Sequence, residues 1–215
     1  MSKQTIWNYF KQHTQLSDEA IAGIMGNFEA ESNCEACRLQ GDFSPDRATS
    51  KTYAKQVNSG STEYSFIHDA KGWGLAQWTY YSRKENLLST AKSYGTGIED
   101  EVTQIRFFLA EMQTEYSGTW RKLLAAPTIY EAARLVCHDY ERPYYENVGA
   151  RAQYGQAIYN EFHGKDIEPE PAPTPEPDPD DDTALLRKHL IEALQKQIAM
   201  AQQLLKFLEE WEAAK

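Results

Sequence analysis

Between Lys165 and Asp182 the chain reads KDIEPEPAPTPEPDPDDD, with proline at every second position from Pro169 to Pro179. Proline fixes φ and removes the backbone donor, so neither helix nor sheet can run through this stretch. Its residues 166 to 182 carry eight acids and no base, which repel one another. An extended polyproline spacer is the expected result. The chain is thereby divided into a first domain over residues 1–164, an acidic Pro-rich linker over 165–182 and a C-terminal segment over 183–215. The net charge of -10 comes mostly from that linker. Elsewhere acids and bases nearly balance, and no run of Lys and Arg offers the basic stripe that nucleic acid requires, so no nucleic-acid partner is expected. No apolar stretch approaches the ~18 residues of a transmembrane span. The first residues, MSKQTIWN, lack the apolar core of a secretory signal, and the expectation is synthesis in the cytoplasm without a signal peptide.

The first domain is expected to be mainly α. Ser17 can cap a helix that opens with Asp18-Glu19 and continues through Ile21, Ile24, Met25 and Phe28. Further helical patterns run over 81–93, 98–115, 128–140 and 148–162. Residues 33–78 are polar and rich in Gly, Ser, Asn and Asp. A stretch that long between helices predicts a functional loop or a small β region.

Two clusters can carry chemistry. At the end of the capped helix, Glu29 and Glu31 fall on opposite margins of an apolar face centred near Phe28. At such an edge, desolvation favours the protonated carboxyl that a general acid needs. Helical geometry does not choose between the two, and both could equally be solvated helix-end acids. The second cluster is Gly72-Trp73-Gly74-Leu75-Ala76-Gln77-Trp78-Thr79. An amide beside two flat indoles suits a sugar ring, with its CH faces and hydroxyl edges. A tight turn whose tryptophans belong to the core fits the same residues. Cys34-x-x-Cys37 lacks a second pair, with only Cys137-His138 elsewhere, so free thiols and no metal are expected.

Taken in order, Ile6-Trp7-Asn8-Tyr9-Phe10, Leu16-Ser17-Asp18-Glu19-Ala20, Ala22-Gly23-Ile24-Met25-Gly26-Asn27, Ala30-Glu31-Ser32, the Gly72–Thr79 block with Arg83-Lys84, and Glu141-Arg142-Pro143 resemble the phage tail lysozyme type of domain. This is a branch of the lysozyme-like superfamily related to goose-type lysozymes and soluble lytic transglycosylases. The resemblance covers about residues 4–162. It implies an α-rich lysozyme-like fold and an enzyme without cofactor that cleaves the glycan strand of bacterial peptidoglycan, released to the wall or carried on a phage particle. It places the catalytic acid on Glu31 and points to Gln77, with Trp78 nearby, as cleft residues; Trp73 and Tyr140 are further sugar-binding candidates.

Glycosidic cleavage needs a proton donor and, for hydrolysis, a second carboxylate. Asp69, just before the cleft block, is the first candidate, with Glu29, Glu35 and Asp42 next in line. Some relatives need no such base and form 1,6-anhydro products, which keeps a lytic transglycosylase open. A non-catalytic wall-binding or virion structural protein is the competing reading from a different class.

Beyond the spacer, Ile191, Leu194, Ile198, Ala201, Leu205 and Leu208 recur at spacings of three and four. The face is widened by Leu190, Leu204 and Trp211, and an amphipathic helix over 183–215 should bury it by self-association.

Overall fold

A computed structural model of the chain describes residues 2–165. The linker and the amphipathic helix expected over 183–215 lie outside the described residues. Within them the order is α1 (Ser2–His13), α2 (Asp18–Ser32), α3 (Ala48–Asn58), α4 (Glu63–His68), α5 (Tyr81–Ser93), α6 (Glu101–Gln113), α7 (Ser117–Leu124), α8 (Ile129–Leu135), a π-helical turn (Val136–Glu141) and α9 (Val148–Phe162). The described residues contain no strand; the expected β region is reduced to two isolated antiparallel bridges, Leu39 with Trp73 and Trp73 with Trp78.

Local signals account for several helix ends. The Ser17 hydroxyl accepts from Ala20 N at 3.1 Å, and Asp18 and Glu19 complement the dipole of the first turn. Asp100 and Thr128 cap α6 and α8 in the same way. α2 ends where Asn33 turns left-handed at φ 58° and Cys34 N reaches back to Phe28 O. That Schellman-type ending leaves Glu31 on the last helical turn, where the chain changes direction.

α2 is the centre of the domain, packed against α9, α8, α1 and the π turn. Every residue from Ala20 to Phe28 is buried, so the helix has no solvent face over that span, unlike the single stripe read from its periodicity. Its small residues explain the difference, because they are the places where other helices touch backbone to backbone. A Cβ on Gly26 would lie 2.2 Å from Arg151 O, and one on Gly155 would lie 2.6 Å from Ala22 O. Only glycine at both positions lets α9 lie this close, and the close approach is what delivers Arg151 to the end of α2.

Candidate active site

Glu31 projects from the last turn of α2, and Arg151 Nη2 donates to its Oε1 at 2.6 Å. The carboxylate retains 21% exposure and the arginine only 8%. Arg151 Nη1 donates to Asn27 Oδ1 at 3.1 Å, and Asn27 Nδ2 in turn donates to Gly23 O and Ala133 O. The guanidinium is thus aimed by a buried amide one turn below Glu31. Glu29 points the other way, to Lys3 Nζ of α1 at 2.8 Å. The two acids occupy opposite margins of α2, and only Glu31 faces the Arg151 side.

The adjacent Ser32 hydroxyl lies 2.9 Å from Leu75 O and 3.0 Å from Phe28 O, fixing the glycine-tryptophan block against α2. The block is a tight reversal in which Trp73 and Trp78 exchange backbone hydrogen bonds of 3.2 and 3.0 Å. Gly74 adopts φ 74°, and a Cβ there would lie 2.4 Å from Gln104 Oε1, the atom that accepts from Leu75 N. Positive φ and close approach together require glycine.

The structure places the aromatic rings of this region in the core. Trp73, Trp78 and Tyr140 are buried, with no open face on which a sugar could stack. The Trp73 indole donates to Ile98 O, and the Trp78 indole to Glu111 Oε2 at 3.1 Å and to the Tyr140 hydroxyl at 2.9 Å. Tyr140 donates its own proton to Glu111 Oε2 at 2.6 Å, while Arg83 grips Glu111 through two bonds of 2.7 and 2.8 Å. Gln77 is half-buried and spends its Nε2 donors on Arg38 O and Gly74 O. Their part here is to hold the wall behind α2.

Asp69 caps the C-terminus of α4, and its side chain bonds to Tyr53 Oη, to Lys71 N and, at 2.5 Å, to Lys84 Nζ. None of these partners is Glu31. Burial pushes the Asp69 carboxyl up, but the Lys84 and Tyr53 bonds outweigh it and hold the group below the usual carboxylate range. Lys84 is fully buried and needs that counter-charge. Asp69→Asn is therefore expected to cost about 2–3 kcal/mol, toward the low side for a broken buried pair because Asp69 keeps some contact with water. The pH sign follows from the depressed titration. Asp69's contribution is complete above the ordinary carboxylate value of about 4 and is lost as pH falls through its lower folded-state value, so the wild-type melting curve should lose this increment on acidification and the variant should not. Glu35 and Asp42 are also engaged, Glu35 with Arg47 and Asp42 with Ser44 and Ser50.

One residue of the site was not foreseen as chemical. Glu141, which in the sequence directly follows the helical pattern over 128–140, closes the π turn, with Arg142 left-handed at φ 50° just after it and Arg142 N donating to Cys137 O at 2.8 Å. The extra residue of a π turn shifts the register of everything after Leu135, and it brings Glu141 within electrostatic reach of Glu31 and Arg151. Periodicity at 3.6 residues per turn cannot anticipate that shift. Beyond it, Tyr144 and Tyr145 stand exposed beside a groove of about 590 Å³ whose lining includes Tyr116, Thr119, Asp139, Arg142 and Pro143.

A buried central helix thus ends in an arginine-paired carboxylate, Glu31, next to a glycine-tryptophan reversal. The family model for phage tail lysozyme matches residues 2–162. The chain belongs to the phage tail lysozyme family, and at that level it is an enzyme acting on peptidoglycan. Among curated proteins none matches the chain.

Proposed function

We propose that the protein is a muramidase-type glycoside hydrolase that cuts the glycan strand of bacterial peptidoglycan, with Glu31 as the proton donor to the leaving oxygen. The observation that carries this reading is the placement of Glu31: a partly exposed carboxyl at the end of the buried α2, held by Arg151 and backed by the Gly72–Thr79 block. Glycosidic cleavage asks for a positioned carboxylic acid that is open to the surface. Membership of the phage tail lysozyme family supports the substrate. The exposed Tyr144 and Tyr145 offer the sugar-stacking faces that Trp73, Trp78 and Tyr140 do not.

Mass spectrometry of the fragments released from purified cell walls tests the reaction type. Reducing N-acetylmuramic ends are expected. Anhydro ends would make the enzyme a lytic transglycosylase and would remove the need for any water-activating base, Asp69 included. No release of glycan fragments would leave a wall-binding or virion structural role.

Self-association through residues 183–215 is the accompanying proposal, resting on the apolar spacing of that segment. Light scattering should find the full chain oligomeric and residues 1–164 monomeric; a monomeric full chain at micromolar concentration contradicts it.

A further inference from the structure

The groove beside the π turn carries both signs of charge. Glu115, Tyr116, Thr119, Asp139, Arg142 and Glu146 are among the residues that line its volume of about 590 Å³, within the range of about 300–1,000 Å³ that small-ligand sites occupy. Asp139 is engaged by Thr119 at 2.9 Å, and Glu146 by His138 at 2.7 Å. Arg142 and Glu115 form no ion pair among the described residues. The Arg142 guanidinium makes one hydrogen bond there, from Nε to Asp139 O at 3.0 Å, which leaves both terminal nitrogens open. Its backbone is also held in an uncommon state. Arg142 is a non-glycine residue at φ 50° and ψ 49°, directly before Pro143, where an extended conformation is the rule. Such outliers persist where the surroundings over-determine them, and they cluster at ligand clamps. The groove abuts the acid. Arg151 donates from Nε to Glu146 O at 3.2 Å and from Nη2 to Glu31 Oε1 at 2.6 Å, so one guanidinium joins the edge of the groove to Glu31.

Resting on the reading of Glu31 as donor, we propose that this groove is the subsite for the peptide stem of peptidoglycan, with Arg142 clamping a stem carboxylate and Glu115 facing a stem ammonium. The N-acetylated sugars of the strand are neutral, so isolated charges of both signs have nothing to bind in them. The peptide stem is zwitterionic and supplies both. It leaves the strand at every second sugar, so a strand with a glycosidic bond at Glu31 carries a stem within one sugar of the cleavage point. The planar fork of an arginine matches a carboxylate through two parallel hydrogen bonds. Tyr144 and Tyr145, exposed beside the groove, are left for the sugar faces.

The test gives the full-length protein two substrates: glycan strands that keep their peptide stems, and the same strands freed of them by an amidase. Wild type is expected to cut the stem-bearing strand with a kcat/KM about tenfold higher, chiefly through a lower KM, the scale of one charge-assisted hydrogen bond realised in binding. Arg142→Asn, whose side chain accepts a left-handed backbone, should bring that ratio close to one. Arg142→Lys keeps the charge without the fork and should fall between. A purely structural Arg142 would lower cleavage of both strands alike and leave the ratio where it was, which overturns the proposal. Equal efficiency of wild type on the two strands overturns it as well, and that measurement needs no variant to fold. Titration of full-length wild type with the free tetrapeptide stem, followed at the ¹⁵N resonances of the Arg142 guanidinium, reads binding apart from cleavage. A shift is expected, and its absence at millimolar peptide overturns the subsite. A shift without cleavage of either strand overturns the glycan-cutting reading and upholds the subsite, whereas cleavage of both strands with equal efficiency overturns the subsite alone.

Discussion

Glu31→Gln is expected to reduce wall lysis by a factor of about 10² to 10⁴, the range for loss of a positioned general acid. The amide is nearly isosteric, and its oxygen can still accept from Arg151 Nη2. What disappears is the transferable proton. Stability should fall by only about 1–2 kcal/mol, because the buried guanidinium keeps its bonds to Asn27 Oδ1 and Glu146 O while losing a counter-charge. Glu29→Gln, on the opposite margin of α2 and paired with Lys3, should leave lysis within a few-fold of wild type. Turbidity loss of a cell-wall suspension, read beside thermal melting of each variant, separates catalysis from folding. A dead Glu29 variant with an active Glu31 variant would move the assignment to the other side of the helix.

Trp78→Ala is expected to be the most damaging single change to stability, at about 3–5 kcal/mol. The indole is 1% exposed, meets Phe107 edge-on at 5.3 Å between centroids and supplies one of the donors that satisfy Glu111. Its removal leaves a cavity and a buried carboxylate short of a hydrogen bond, in a network that also holds Arg83 and Tyr140. For a domain of this size the melting temperature should drop by roughly 10 °C. Binding of soluble muropeptide by the folded protein at low temperature should be unchanged. Lost binding with an unchanged melting temperature would instead put the ring in the glycan cleft.

The helical character of the first domain was open to inspection in the sequence where an apolar repeat ran at helical spacing, as over 81–93, and most sharply where a cap preceded it. Ser17, Asp100 and Thr128 mark helix starts by a mechanism that acts within three residues, so local chemistry suffices. α1, α3, α4 and α7 were not anticipated. α3, with the sequence ATSKTYAKQVN, buries only Ser50, Ala54 and Val57, too sparse a stripe to stand out from a polar stretch. α7 is eight residues long, and its helical form rests on packing against α6 and α8. The helix expected over 128–140 is interrupted by the π turn after Leu135, a feature with no periodic signature.

The same division runs through the site. That an acid at Glu29 or Glu31 would edge an apolar helix face follows from sequence, because the 100° step between residues is a local property. Which acid meets an arginine does not follow, because Arg151 is 120 residues away and arrives only through the close crossing of α2 and α9 at Gly26 and Gly155. Composition singled out the tryptophans, yet sugar-facing and core tryptophans have identical sequence patterns. Burial is a sum over neighbours from α5, α6 and the π turn, and the tertiary structure alone performs that sum. Asp69 is the sharpest instance. Its position just before the Gly72–Thr79 block suggested a catalytic base, and the fold gives it a buried lysine to neutralise. Sequence alone determined the elements with strong local caps and the short list of acids. The tertiary structure decided which acid is paired with an arginine and which rings are core, because charge pairing and desolvation depend on distances that the chain sets only when it packs.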